Sequence, residues 1–566
     1  MDVQRAALTI GVVSLLALGA PPAARACGGF FCNQQIPIDQ SGEQIVFSIR
    51  PDGVTAHILI QYQGNARDFS WVVPVMSRPV IKVGTNTLFT TLLRQTQPRF
   101  AIDPASLNVC NSVLRGTSAG GDAESPSRPN GGVNVVEMRE VGPFATVILE
   151  STDAAELITW LKDNGYDQPP ESTPLIEHYV KQKMLFVALK LKQDATTGDI
   201  QPLVLEMPHP EACVPLILTR VAAVRDMPVQ VFVLGPHRAF PSNWFHVEIN
   251  QKRIDWRTGG SNYRQLVTDA INEAAGRGFV TEYAGGTQQF ANQLVPLGNF
   301  DLGLVQLRAA TQAVQLVQLV LSLGLPRGDA VLLALLRKYV PMPESLRATG
   351  VSENQFYSNI SQFQSALGMT PVDGAAFTAE LEMRIITPLR EAQAMVDGQP
   401  YLTRLYATVS PDEMTRDPLF HFNAELPPVS NVHMAKAVGG VCSSGSLTKM
   451  ILELEDGSRI ALDGAVTTRP YPFEGRPVEA AGSGPAAARI QLVGSRGSPA
   501  SYGTQEAFTV DQALDRDHPD LVREMHPGLA GRSSGCAVGG GGTVAPLALA
   551  GLAALLALAR RRRRRR

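Results

Sequence analysis

Between residues 44 and 75 the chain carries three apolar runs broken by turn residues. Gln44–Ile49, Val54–Gln63 and Phe69–Val75 are rich in β-branched and aromatic side chains, with Pro51-Asp52-Gly53 and Gly64-Asn65 between them. That pattern predicts strands joined by turns. Thr87–Gln97 has helical spacing, with Asn86 as the expected N-cap and Pro98 just past the end. Arg115–Gly132 is mostly Gly, Ser, Pro and Asn without a period, and reads as a surface loop. Val133–Val141 and Ala145–Glu150 read as strands. Asp153-Ala-Ala-Glu156 caps a helix to Asn164, with Leu157, Ile158 and Leu161 on one face. Met184–Lys192, Gln201–Glu206, Val214–Leu218 and Val229–Leu234 are further strands. Residues 27–250 are thus expected to form a β-rich α+β unit.

The period then changes. Ser261–Ala275 reads as a helix, and Asp301–Leu323 as one long amphipathic helix with Gln312, Gln315 and Gln318 on its wet face. Those glutamines and Arg308 mark a soluble helix rather than a membrane span. Asp329–Val340, stopped by Pro341, is its expected antiparallel partner. Gln355–Leu367 and Ala375–Glu391 continue a helical segment over 251–400. Strand returns at Tyr401–Val409. In the small β segment completing 401–494, Lys449–Leu454 and Ser458–Leu462 flank Glu455-Asp456-Gly457, a hairpin signal, and Arg489–Val493 is another strand.

The two ends differ from the body. Residues 1–26 have the parts of a secretory signal: Arg5, an apolar Ala6–Ala20, then Ala24-Arg25-Ala26. Residues 495–536 are rich in Gly, Ser and Pro and read as a stalk. Gly535-Cys536, the glycines Gly539–Gly542, an apolar Val544–Ala559 and seven arginines Arg560–Arg566 follow. At ~1.5 Å per residue, Val544–Ala559 alone falls short of a ~30 Å hydrocarbon core. Residues 537–559 together are long enough for a single C-terminal transmembrane helix, glycine being tolerated in lipid. The arginine block 560–566 is expected to stay cytoplasmic, leaving the body outside.

Removing residues 1–26 and 560–566 takes away nine basic residues and one acid, moving the formal charge from −2 to about −10. Such a body is not expected to bind nucleic acid. Six cysteines in 566 residues are no disulfide scaffold, but the expected compartment is oxidising. Cys27, the first residue after the expected cut, is read either as an acylated lipoprotein cysteine or as a disulfide partner. Cys27 and Cys32 are close enough to close a small disulfide loop. The pairing of Cys110, Cys213 and Cys442 stays open.

Cys27-Gly-Gly-Phe-Phe-Cys32-Asn33 resembles the opening of a family of secreted bacterial proteins grouped as domain of unknown function 2330. The resemblance continues through Ile58-Leu-Ile-Gln-Tyr-Gln-Gly64 and Phe69-Ser-Trp-Val-Val-Pro-Val75. It returns at Tyr401-Leu-Thr-Arg-Leu-Tyr406, Ser410-Pro-Asp-Glu-Met414 and Asp417-Pro-Leu-Phe420. It implies a compartment and no chemistry. The tail resembles the myxobacterial C-terminal sorting signal. That likeness implies a membrane partner and a sorting protease acting near Gly535-Cys536, while Ala24-Arg25-Ala26 is the expected site of a signal peptidase.

Candidate chemistry is sparse. Gly116-Thr-Ser118-Ala-Gly120 has nucleophile-elbow spacing, but a Gly/Asp/Pro loop follows where a helix is needed. Gly531-Arg-Ser-Ser-Gly535 repeats the pattern inside the stalk. His209, Glu211 and Cys213 alternate, so an extended strand would present three metal-ligand types on one side. Pro208 and Pro210 interrupt them, and a turn with a structural cysteine fits as well. Gly440–Gly445 followed by Ser446 lacks the lysine of a phosphate loop and is set aside. Asp412, Glu413 and Asp417 suit acid–base work, Ca²⁺ or a solvated turn. Trp71, Trp244 and Trp256 suit sugar stacking or, more simply, core packing. No cofactor is expected. The expectation is an α+β, envelope-anchored protein with a binding or structural role; the alternative is an extracytoplasmic hydrolase or metalloenzyme.

Overall fold

The computed structural model describes residues 42–59, 69–107, 129–130, 134–166, 169–192, 200–291, 293–294, 300–443, 446–462 and 478–501. Residues 1–26, Cys27, Cys32, Cys110, Ser118, Gly535, Cys536, the 537–559 segment and the arginine block lie outside them. Among the described residues no helix is long and apolar enough to cross a membrane.

The fold is mixed α+β and its centre is a ten-stranded sheet. Across it run Ala500–Ser501, Ala487–Leu492, Phe245–Ile249, Gly278–Gly286, Tyr401–Val409, Met227–Gly235, Glu43–Arg50, Gly53–Leu59, Leu203–Met207 and Val80–Val83. Two neighbouring pairs are parallel, Glu43–Arg50 with Met227–Gly235 and Phe245–Ile249 with Gly278–Gly286. This sheet crosses the expected borders near residues 250 and 400.

Both faces of the sheet are covered, which explains why its strands read as continuous apolar runs. From Glu43–Arg50, Ile45, Phe47 and Ile49 enter one core while Val46 enters another. Met227–Gly235 does the same, with Val229, Val231 and Val233 on one side and Phe232 and Leu234 on the other. The first core lies against an antiparallel sheet ordered Ser70–Val75, Leu185–Leu191, Phe144–Glu150, Asn134–Val141. Helices Ala154–Asp163 and Thr173–Lys181 cover its far side through Leu157, Trp160, Ile176 and Tyr179. The second core belongs to the helices between residues 300 and 397. The order is helices, four strands, ten strands, helices.

A five-stranded sheet (Val478–Ala480, Arg459–Ala461, Ser446–Glu453, Val432–Ser443, Arg99–Ile102) shares a third core with helix Tyr263–Asn272. The expected hairpin about Asp456-Gly457 lies in it, and Gly440 sits in the same sheet opposite Met450. Short strands Ala212–Cys213, Leu419–Phe422 and Ala239–Pro241 form a further sheet.

Several expected elements differ. Asp301–Leu323 is two helices, Phe300–Arg308 and Ala313–Ser322. The chain at 370–374 supplies the partners that open the helix between them. Val372 N donates to Thr311 O at 3.0 Å, Gly374 N to Ala310 O at 3.1 Å, and Ala313 N to Thr370 O at 2.8 Å. Gly374 is required there, since a Cβ would lie 2.3 Å from Ala310 O. Helix Ala330–Tyr339 lies closer to Gly374–Leu381 and Glu353–Ser358 than to Ala313–Ser322, with which it shares the second core. Val214–Leu218 is no strand: Leu216–Thr219 is helical, and the Asp417 side chain accepts from Ile217 N at 2.8 Å. Thr85, not Asn86, caps the first helix, accepting from Thr87 N at 3.2 Å. Asp153 caps Ala154–Asp163 as expected.

Candidate functional site

The segment Ser410–Phe420 runs from an exposed turn into a buried polar centre. The turn is closed by Glu413, whose carboxylate accepts from Ser410 N at 2.7 Å while Glu413 N donates to Ser410 O at 2.9 Å. Gly276 faces that carboxyl at φ +69°, and a Cβ there would lie 2.3 Å from the Glu413 carboxyl carbon. Asp412 is exposed. Asp417, by contrast, is fully buried. Asp412, Glu413 and Asp417 are therefore not gathered into one acid–base or Ca²⁺ set.

Around Asp417 three layers are tied together. Its Oδ2 accepts from the Tyr179 hydroxyl at 2.8 Å and its Oδ1 from Ile217 N at 2.8 Å. Its backbone carbonyl accepts from Asn243 Nδ2 at 2.8 Å, and Asn243 Oδ1 accepts from Leu419 N at 2.9 Å. Arg416 Nη1 donates to Asn243 O at 2.7 Å. Leu218 N donates to the Tyr179 hydroxyl at 3.3 Å. Burial first, then the Asp417 charge, pushes the Tyr179 phenol well above its ordinary range, so it remains a donor.

Glu43 stands beside this centre at the start of its strand. Burial, with the Asp417 charge second, pushes its carboxyl up to about 8; a hydrogen bond from Thr219 opposes this. Its Oε2 is buried without a hydrogen-bond partner among the described residues. Glu43 therefore holds a proton at neutral pH. Two carboxyls in one site with opposed environments is the arrangement that can separate an acid from a base. Here neither lines the cavities described among these residues. What the geometry supports is a tie between strand Glu43–Arg50, helices Thr173–Lys181 and Leu216–Thr219, and the 410–420 segment.

The second stretch carrying the resemblance, Tyr401–Tyr406, is also structural. Arg404 pairs with Glu282, the two side chains being 7% and 2% exposed. A bulge places Glu282 here: Thr281 lies opposite Leu405 and Tyr283 opposite Arg404, leaving Glu282 as the extra residue. Tyr263 donates to Glu282 at 2.9 Å, and Arg404 Nη1 donates to Leu93 O and Thr96 Oγ1, each at 3.2 Å. Burial raises the Glu282 carboxyl; Arg404 acts against it.

Two buried histidines complete the set. His246 is pushed down to about 4 by burial, then by Arg238, with the Gln491 hydrogen bond opposing. The neutral ring donates from Nδ1 to Gln491 Oε1 at 3.0 Å. Its Nε2 accepts from Arg238 at 3.2 Å and from Thr281 at 3.0 Å. His57 is likewise lowered to about 4 by burial and then by Lys82, and its Nδ1 has no hydrogen-bond partner among the described residues.

The sequence candidates fall as follows. Cys213 is disulfide-bonded, which removes its thiolate from the proposed His209–Glu211–Cys213 ligand set. His209 Nδ1 accepts from Glu211 N at 3.4 Å, closing a local turn. Among the described residues no group of three His, Cys, Asp or Glu could hold a metal ion. Trp71, Trp244 and Trp256 are all buried in cores, which leaves no face for a sugar. Ser118 lies outside the described residues. Glu43, Tyr179, Asn243, Arg238, His246 and Glu282 were not singled out from the sequence. The available signal was a lone ionisable residue inside a β run, as with His57 in Val54–Leu59 and Arg404 in Tyr401–Val409.

These layers, tied by buried polar groups, make a mixed α+β body with no assigned chemistry. The match is specific over most of the chain. Residues 21–420 match DUF2330, described as an uncharacterized protein conserved in bacteria, and the chain belongs to that family. No curated protein and no solved structure matches it.

Proposed function

We propose that this chain is an exported protein held at the cell envelope, its body outside the cytoplasm in a binding or structural role. The observation that carries this reading is the Cys213 disulfide. Disulfides persist in oxidising compartments and are rare in reducing cytosol. The signal-like residues 1–26 and the Gly535-Cys536, apolar and arginine series agree with that compartment and add a membrane attachment. The buried ionisable groups support a structural duty, since Asp417, Tyr179, Arg404 and His246 spend their hydrogen bonds holding layers together.

Fractionation of the native host, with thiol alkylation before and after reduction, tests this. The full chain is expected in the envelope with Cys213 alkylated only after reduction. A chain lacking residues 536–566 is expected in the medium or periplasm. Cytoplasmic protein with a freely alkylated Cys213, or a truncated chain still held in the envelope, would overturn the reading.

A further inference from the structure

Where the edges of the two large sheets meet, a cleft of about 260 Å³ opens. One wall is strand Val80–Val83, the edge of the ten-stranded sheet. The other is the Asn134–Val141/Phe144–Glu150 hairpin, at the edge of the four-stranded sheet. The hairpin turn rests directly on that strand: Gly142 has φ +55°, and a Cβ on it would lie 2.5 Å from Val83 Cγ1. The cleft is therefore held by a backbone contact that only glycine allows. Its volume is just below the ~300–1,000 Å³ usual for small-molecule sites.

Its lining is divided by chemistry. Pro79, Ile81 and Ile148 form an apolar floor, and Val80 adds an apolar rim at 49% exposure. Arg78 and Arg139, both exposed, stand over that floor, and among the described residues that line it there is no acid. The neighbouring charges are already matched. Lys82 pairs with Glu206 at 2.9 Å and with Glu391 at 3.2 Å, and Glu140 pairs with Lys192 at 2.5 Å. Arg139 has no carboxylate partner among the described residues. Its backbone carbonyl accepts from Thr146 at 2.8 Å, fixing the strand beneath it. A guanidinium fork over an apolar floor recognises an oxyanion joined to an apolar body.

We propose that this cleft binds a small organic oxyanion, a carboxylate or phosphate monoester whose head pairs with Arg139 and whose apolar body lies on Val80, Ile81 and Ile148. The site does not depend on how the protein is anchored, so its failure and a failure of the envelope reading are separate results.

The test is calorimetric titration of the full chain in a nonionic detergent. Benzoate and phenyl phosphate are the probes; benzamide and inorganic phosphate are the controls. Saturable binding of at least one aromatic anion is expected, with benzamide about tenfold weaker or more, as loss of one charge-assisted contact implies, and inorganic phosphate about tenfold weaker or more, as loss of the buried apolar body implies. Arg139→Gln, an exposed change, should weaken the anion about tenfold without moving the thermal midpoint. Should that variant fold poorly, Val80→Ser serves instead, weakening phenyl phosphate while leaving inorganic phosphate unchanged. The proposal is overturned by unchanged affinity in a folded Arg139→Gln, by unchanged phenyl phosphate affinity in Val80→Ser, by inorganic phosphate equalling phenyl phosphate, or by no saturable binding of either aromatic anion.

Discussion

Glu43→Gln exchanges a buried carboxyl for a neutral amide of nearly the same shape, and so isolates the cost of keeping a proton in the interior. In the folded chain the Glu43 carboxyl titrates at about 8, against an ordinary 4.5. Between those values the folded state keeps its proton while the unfolded state has lost it. The folded state then binds more protons, so stability falls as pH rises from about 4.5 to about 8. The contribution is whole below the unfolded value and gone above the folded one. At 1.36 kcal/mol per pH unit the full span is worth about 5 kcal/mol. That is an upper bound, since a backbone shift that admits water ends the cost sooner. Denaturant unfolding of wild type and Glu43→Gln at pH 5 and pH 8.5, disulfides intact, measures it. The wild type should lose several kcal/mol more than the variant between the two conditions. Parallel curves would refute the reasoning, because they would mean Glu43 ionises in the folded protein as easily as in the unfolded chain.

His57 and His246 act with the opposite sign. Each folded-state value is about 4 against an ordinary 6.5, so stability is lost as pH falls through that window. His57→Leu, which removes an unpartnered Nδ1 from an apolar run, should flatten that loss by about 3 kcal/mol; thermal midpoints at pH 4.5 and pH 7 check it. Arg404→Met strands the Glu282 carboxylate and should destabilise by about 3–5 kcal/mol, with part of the loss recovered when Glu282→Leu is added. A double-mutant cycle in denaturant measures both; strictly additive losses would remove the buried pair from the account.

Long runs bounded by turns were legible. Glu43–Arg50, Tyr401–Val409 and the Asp153-capped helix follow from local signals. What was not legible needed a partner distant in sequence. Nothing near Leu307–Ala313 announces a break, because the groups that open the helix there come from 370–374. Val214–Leu218 has the composition of a strand, and Asp417, some two hundred residues on, makes part of it a helix. The same holds for the polar centre. Glu43, Tyr179, Asn243 and Asp417 come from four separate stretches, and only the fold makes one of them neutral and another an acceptor.

The strand order also sets when this protein can be finished. Glu43–Arg50 pairs with Met227–Gly235, whose other neighbour is Tyr401–Val409. A chain emerging from the ribosome N-terminus first carries its earliest strand unpaired on one side through nearly two hundred residues, and the middle of the sheet closes only near residue 409. Such non-local pairing is slow and exposes adhesive edges meanwhile. The family match ends at residue 420, just after that closure. Later in the chain, Ala487–Leu492 is laid against Phe245–Ile249 at the rim, with Ala500–Ser501 outside it. A chain stopped at 420 would have its centre complete and one edge of Phe245–Ile249 bare, a ready surface for sticking to its own copies.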